Sequence, residues 1–372
     1  MVNKTMLKDN MTKTWHELSG QDHWKGLLDP LDIDMRHYII QYGELAQSAY
    51  DAFITEKASK YAGGSRYAKR DFFSKVGLEK GNPLKYSVTK FLYATSSIPL
   101  PDAFVIKSLS REAWSKESNW IGFVAVCTDE GKKVLGRRDI VIVWRGTIQT
   151  LEWVNDFEFI LVPAPKVFGN NTDPKVTSEV QRLVELYKGE EVSITVTGHS
   201  LGAAVATLNA VDIVANGFNK GAPVTTFAFA SPRVGDINFM NLASEYKDLR
   251  ILRIENKFDI VPNYPLIGYH DVGEVFKIVT TKSSFLKVSV NPSNLHNLEI
   301  YLHGVAGTQG TNEGFQLEVN RDIALVNKYL DGLKDEYLVP ESWWIEKNKG
   351  MVQEEDGSWK LMDHEVEEGD SF

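Results

Sequence analysis

The sequence predicts an α/β fold with a mostly parallel central sheet flanked by helices. Two observations predict it. From about residue 120 onward, short apolar runs alternate with helical stretches, the pattern of a sheet covered on both faces. Within that alternation, the β-branched run 192–197 leads straight into Gly198-His199-Ser200-Leu201-Gly202 and then a stretch of small residues, which reads as a strand, a sharp turn and a helix.

The elements follow in order. Residues 1–35 are polar and interrupted, with Trp15, Trp24 and Pro30 as scattered anchors. Ile39, Tyr42, Ala46, Ala49, Tyr50 and Phe53 recur at three- and four-residue steps, which predicts a helix over 35–53. Residues 54–115 are mixed, rich in Tyr and Lys, and show no readable period. Strands are predicted over 120–127, 139–144, 193–197, 225–229 and 249–254. Helices are predicted over 176–187, where Val176, Val180, Leu183, Val184 and Tyr187 share a face, and over 201–215, nearly all apolar or small. Two further strands fit 275–280 and 285–290, and a closing helix fits 318–335. From Gln353 the chain is acidic and reads as a loose tail. The expected organisation is a mainly helical region 1–115 packed on a core 116–350, then the tail 351–372, with no linker dividing them into separate domains.

Composition narrows the partners. The chain has 372 residues, 43% of them hydrophobic, enough for a large core. Its formal net charge of −9 argues against nucleic acid, which needs a basic footprint, and against a steady electrostatic grip on anionic membranes. The one cysteine, Cys127, ends the apolar run 121–127. It can form no intrachain disulfide and reads as a buried strand residue. The first residues lack an apolar stretch and turn acidic early, so a cytoplasmic chain is expected. No run reaches the length of a transmembrane span.

The Gly-x-Ser-x-Gly segment carries the chemistry. Its glycines remove the Cβ atoms that would clash where strand and helix approach. The turn lifts Ser200 Oγ off the sheet at a helix N-terminus, where the Leu201 amide can meet an oxyanion. With Gly near 7% of residues the five-letter motif arises by chance roughly once in ten chains this long, and the flanking strand and helix make it far more specific. A serine nucleophile needs a base, and the base an orienting carboxylate, in the chain order serine, acid, histidine. Asp236, Asp259 and Asp271 lie near strand ends after Ser200. Asp259 follows the strand 249–254 directly, where open α/β sheets place their sites. Asp236 follows a turn-like segment and reads as a ligand of its own loop. Chain order leaves His296 and His303 as near-equal candidates for the base. His199, adjacent to the serine, points away from it. No His-Glu-x-x-His, cysteine pair, EF-hand loop or phosphate cradle is present, so no metal and no cofactor are expected.

Gly198-His-Ser-Leu-Gly202, Phe229-Ala-Ser-Pro-Arg-Val-Gly235, Asp259-Ile-Val-Pro262 and Trp144-Arg-Gly-Thr147 together resemble the class 3 lipases of the α/β-hydrolase fold. The late segment His296-Asn-Leu-Glu-Ile-Tyr301-Leu-His303-Gly-Val-Ala-Gly307, with Trp343-Trp344 and Asn348-Lys-Gly350, is similar to the plant phospholipase A1 group, class II. The similarity spans roughly residues 15–360. The resemblance implies His296 as the base, Thr147 as a second oxyanion donor, and hydrolysis of the sn-1 acyl ester of phosphatidylcholine. It also implies a glycerolipid substrate met in membranes or aggregates through transient apolar contact. Galactolipid or triacylglycerol hydrolysis, acyl transfer, and a non-catalytic lipid-binding role are the alternatives. The stretch 148–158 is amphipathic, with Ile148, Leu151, Val154 and Phe157 on one face. It reads equally as a mobile lid or as a helix packed on the core.

Overall fold

The apolar runs pair side by side. The computed structural model describes residues 13–80, 82–95, 106–110, 118–147, 174–288, 291–310, 314–344, 351–353, 355–356, 358–361 and 364–365. Among the described residues, seven strands form one sheet in the order β1 to β7. They are β1 (Tyr86–Thr95), β2 (Ser118–Cys127), β3 (Arg138–Trp144), β4 (Val192–His199), β5 (Val224–Phe229), β6 (Leu249–Asn256) and β7 (Glu274–Ile278). β1, β2 and β3 are antiparallel neighbours, and β3 through β7 run parallel. The α/β expectation therefore holds, and the chain-order strand sequence puts all parallel strand ends on one side.

Six helices used below are α1 (Ile33–Asp51), α2 (Asp129–Leu135), α3 (Pro174–Leu186), α4 (Leu201–Ala215), α5 (Ile237–Glu245) and α6 (Leu298–Gly307). One face of the sheet is covered by α1 and α6, which pack Tyr42, Leu298, Tyr301 and Leu302 onto Phe227 and Phe229. The other is covered by α3 and α4, which bring Val180, Leu183, Ala206 and Ala210 onto Ile142, Ile194 and Val196. Burial on both faces explains why the central strands read as unbroken apolar runs. Ile140, Val141, Ile142 and Val143 are all fully buried. Cys127 is buried at the end of β2. No helix among the described residues is long and apolar enough to cross a membrane.

Several expectations are corrected. The unassigned stretch 54–115 contributes β1, an edge strand. Its pairing with β2 shifts register between Val88 and Lys90 and again between Leu92 and Tyr93, which breaks the two-residue alternation that marks a strand. The expected strand 285–290 does not form: Leu286 makes one isolated bridge to Leu333, and Phe285 stacks on Tyr337. Residues 289 and 290 lie outside the described residues. The expected closing helix 318–335 is an irregular segment with one 3-10 turn, Ile323–Asn327, and the start of another at Asp335. Its polar side chains are used to bind other elements instead. Arg321 bonds Glu44 at 3.1 Å and Glu299 at 2.5 Å, and Lys328 reaches Asp51 at 2.7 Å. Asn327 Oδ1 accepts from the amides of Gly332 and Leu333. The acidic end is not wholly loose: Met351–Gln353 pairs with Trp359–Leu361 as a short hairpin, and His364 stacks on Tyr61. The stretch 148–158, read equally as a lid or a packed helix, and the Asn348-Lys-Gly350 segment lie outside the described residues.

At the starts of the strands a buried polar cluster ties α1 to the sheet. Asp139 accepts from Tyr42 and Tyr86 hydroxyls at 2.9 and 2.8 Å, and from Ser193 and Thr195 hydroxyls at 2.7 and 2.8 Å. Arg137, fully buried, lies 3.6 Å from the same carboxylate. Removing the anion alone strands a buried cation. Asp139→Ala is therefore expected to lower the unfolding free energy by about 3–5 kcal/mol, measured by urea titration; a loss within error of zero would contradict this account of the cluster.

Candidate active site

The site begins with a backbone constraint. β4 ends at His199, and Ser200 adopts φ 58°, ψ −129° before α4 starts at Leu201. Non-glycine residues rarely occupy this region, at a cost on the order of 1–3 kcal/mol. The neighbours hold it there. The Ser200 amide donates to the Phe229 carbonyl at 2.9 Å, and the Ala203 amide donates back to the Ser200 carbonyl at 3.0 Å. The motif glycines are needed for space. A Cβ on Gly202 would lie 2.3 Å from the Trp144 carbonyl oxygen, and one on Gly198 would lie 2.5 Å from Gly202 itself. Leu201 is the first residue of α4, so its amide precedes the helix's own hydrogen-bond ladder.

β6 delivers Asp259, which is 2% exposed. Its Oδ1 accepts from the Val261 amide at 3.0 Å. Its Oδ2 accepts from His296 Nδ1 at 2.6 Å and from the Tyr301 hydroxyl at 2.6 Å. His296 ends the turn Pro292–Leu295 that leads into α6. With Nδ1 donating to the carboxylate, a neutral ring presents Nε2 as its acceptor. His296 Nε2 and Ser200 Oγ are both buried and have no hydrogen-bond partner among the described residues. Buried polar atoms are normally paired, so each exception calls for an explanation, and a catalytic role is one.

A second layer ties these parts together. His199 Nε2 lies 2.7 Å from the His296 carbonyl oxygen. A carbonyl only accepts, so Nε2 carries the proton and Nδ1 is left as an acceptor. Burial holds the His199 imidazole well below its ordinary titration range, so the ring stays neutral. The Tyr50 hydroxyl, 3.0 Å from His199 Nδ1, must then donate to it, and it accepts from the Gly146 amide at 3.1 Å. One directed chain thus runs from the loop after β3, through α1 and the elbow, to the backbone of His296. A Cβ on Gly146 would lie 2.5 Å from the His199 carbonyl oxygen and 3.3 Å from Ser200 Cβ, so this loop presses on the elbow. Arg145 fixes it, donating to the Trp120 and Gly146 carbonyls at 3.2 and 2.7 Å over the Phe53 ring. Burial lowers the Arg145 guanidinium to about 10. Thr147 follows, partly exposed.

The other candidates are elsewhere. His303 Nε2 meets Ser283 Oγ at 2.7 Å, and its ring stacks on Phe315. Asp236 caps α5, accepting from the Phe239 amide at 2.9 Å. Asp271 pairs with Arg233 and Arg253 at 3.0 and 3.3 Å. Sequence reasoning missed Tyr50 and Tyr301. Tyr50 read as a core aromatic on the helix 35–53, and only Tyr301, inside the late histidine segment, had a local signal.

The sheet order and the forced turn at Ser200 define an α/β-hydrolase of the lipase type. Residues 141–269 match the family described as Lipase (class 3). Phospholipase A1-IIgamma of Arabidopsis thaliana is 53% identical, over 97% of this chain and 95% of that protein. Phospholipase A1-II 1 of Oryza sativa subsp. indica is 52% identical, over 96% of this chain and 97% of that protein. Among solved structures, the nonglycosylated Yarrowia lipolytica LIP2 lipase gives a TM-score of 0.46 at 18% identity, over 67% of this chain and 81% of that one. The chain belongs to the class 3 lipase family, in its plant phospholipase A1-II group, and is a carboxylic ester hydrolase.

Two outcomes follow from the geometry. Tyr50→Phe removes the acceptor of Gly146 and the donor to His199. It is expected to lower turnover of a soluble ester about tenfold, equivalent to one hydrogen bond of about 1.4 kcal/mol, with little change in melting temperature. Parent-like turnover would detach Tyr50 from the site. Burial pushes the His303 imidazole from 6.5 down to about 3. The unfolded chain takes up a proton near pH 6.5 that the folded chain refuses until about 3. The ring's contribution to stability is therefore complete above that window and lost as pH falls through it. His303→Gln is expected to flatten the pH dependence of urea stability between those values, and an unaltered slope would refute this.

Proposed function

We propose that Ser200 is the nucleophile, His296 its general base and Asp259 the orienting acid in hydrolysis of fatty-acyl esters of glycerolipids, with the sn-1 chain of phosphatidylcholine as the preferred target. The observation that carries the reading is the unpaired, buried Nε2 of a carboxylate-held imidazole whose backbone is bonded by His199, the residue before an equally unpaired, buried hydroxyl on a strained turn. His296 Nε2 takes the Ser200 proton as Oγ attacks the ester carbonyl. The amides of Leu201 and Thr147 hold the resulting oxyanion, each worth on the order of 3 kcal/mol of activation energy. His296 returns the proton to the departing lysolipid oxygen. Water then repeats the sequence on the acyl-serine, releasing a fatty acid. The Asp259 carboxylate compensates the imidazolium that forms at each step.

The phospholipid class and the A1 position follow the relatives' names, both phospholipases A1, and the choline headgroup is what the family resemblance implies. Access to lipid is proposed to be transient and apolar, in keeping with the net charge of −9. A cytoplasmic location is part of the proposal, supported by the single buried thiol Cys127; recovery of the tagged full chain from culture medium would count against it.

Ser200→Ala is expected to abolish ester hydrolysis and fluorophosphonate labelling with stability nearly intact, and residual turnover near the parent level would exclude Ser200 as nucleophile. His296→Ala is expected to damage turnover far more than His303→Ala, and equal losses would overturn the choice of base. A panel of phosphatidylcholine, galactolipid and triacylglycerol, with positional analysis of the released chain, tests the substrate; predominant sn-2 release would reject the A1 assignment.

A further inference from the structure

Among the described residues, four of the large apolar side chains that remain exposed are gathered on one loop. Between β6 and β7, Phe258, Ile260, Leu266 and Ile267 are 48, 42, 63 and 90% exposed. Single exposed apolar residues are ordinary, but four within ten positions form a patch that calls for a partner.

The loop is not held loosely. The Arg233 amide donates to the Tyr264 carbonyl at 2.7 Å, and its guanidinium donates to the Asn263 carbonyl at 3.0 Å. Arg253 donates to the Pro262 carbonyl at 3.3 Å, and the Asn263 side chain to the Asp259 carbonyl at 3.3 Å. The backbone is satisfied from within while the apolar side chains face outward. Such a preformed projection loses little conformational freedom when it binds.

Two features select the occupant. The same loop delivers the Asp259 carboxylate to His296, so the patch is rigidly continuous with the place where an ester must arrive. An acyl glycerolipid offers that ester at the boundary between headgroups and hydrocarbon, the depth reached by apolar side chains at an interface. The charge balance selects the surface. Over 257–267 the charged residues are Lys257 and the buried Asp259, and the chain carries −9 overall. An anionic surface would repel it, whereas a zwitterionic one would not.

We propose that the 258–267 loop is a fixed lipid-surface anchor, whose Leu266 and Ile267 enter the headgroup–acyl boundary of a zwitterionic glycerophospholipid layer and hold the catalytic cleft against it. The inference rests on the hydrolase reading above for its choice of lipid. Its test is made separable by measuring binding without turnover. In Ser200→Ala protein, sedimentation with phosphatidylcholine vesicles is compared with and without the pair Leu266→Asp and Ile267→Asp. The pair is expected to weaken partitioning at least about tenfold, or about 1.4 kcal/mol. Leu186→Asp serves as the control. Leu186 is 60% exposed at the end of α3, by the starts of the strands, and its substitution is expected to change nothing. In the active protein the pair should spare p-nitrophenyl butyrate hydrolysis and depress vesicle hydrolysis. Parent-like partitioning of the pair, an equal loss in Leu186→Asp, binding that appears only with anionic lipid, or an equal loss on the soluble ester would each overturn the anchor. If phosphatidylcholine binds through the loop but is not cleaved by the active protein, the substrate assignment fails while the anchor stands.

Discussion

The unfavourable backbone conformation of Ser200 is the constraint around which the molecule is organised. A residue with a side chain is kept at positive φ because both its neighbours and its hydrogen bonds leave it nowhere else to go. β5 supplies the acceptor for its amide, and β3 supplies the carbonyl of Trp144 against which Gly198 and Gly202 fit without a Cβ. The three adjacent parallel strands are therefore not a generic platform. Their spacing sets how closely α4 approaches the sheet, and this approach is what raises the hydroxyl at the strand end. The penalty, on the order of 1–3 kcal/mol, is met by packing that extends well beyond the site.

Helix α1 has a double role in that packing. Its Tyr42 reaches Asp139 at the start of β3, and its Tyr50 reaches Gly146 just beyond the end of the same strand. One helix thus clamps β3 at both ends. The lower contact donates a hydrogen bond to the buried Arg137–Asp139 pair; the upper one links the loop after β3 to His199 and, through it, to the carbonyl of His296. A region outside the residues that match the family, 141–269, thereby helps define the geometry of the proposed catalytic groups.

Much of this was legible in the sequence, for identifiable reasons. The central strands are buried on both faces, so they appear as continuous apolar runs, and α4 shows its close approach to the sheet in its small residues. Asp259 could be singled out because it directly follows a strand, and Asp236 could be set aside because it follows a turn-like segment and read as a ligand of its own loop; in the fold it caps α5. The choice between His296 and His303 was not written in spacing or chain order. Resemblance favoured the former, and the surroundings separate them: one ring bonds a carboxylate, the other a serine hydroxyl under an aromatic ring. β1 escaped because its register shifts interrupt the alternation. The stretches 285–290 and 318–335 misled because their apolar residues do bury, but in a small satellite cluster of Leu286, Ile300, Val326 and Leu333 rather than in a regular element. Tyr50 escaped because a tyrosine on the inner face of a helix looks the same whether its hydroxyl is idle or occupied.

The ion pairs behind α6 bear on how the protein comes into being. Every residue of the proposed catalytic set has been synthesised by the time the ribosome passes position 296. The cations that neutralise buried Glu299 and Asp51, however, are Arg321 and Lys328, which emerge later. Until they arrive, α6 and α1 would have to bury carboxylates without counter-charges, which costs several kcal/mol for each. Burial indeed pushes the Asp51 and Glu44 carboxyls upward even in the finished fold. The growing chain therefore holds the proposed nucleophile, acid and histidine before the carboxylates behind α1 and α6 have their counter-charges, and the packing behind the site closes only once residues 321–328 have joined it.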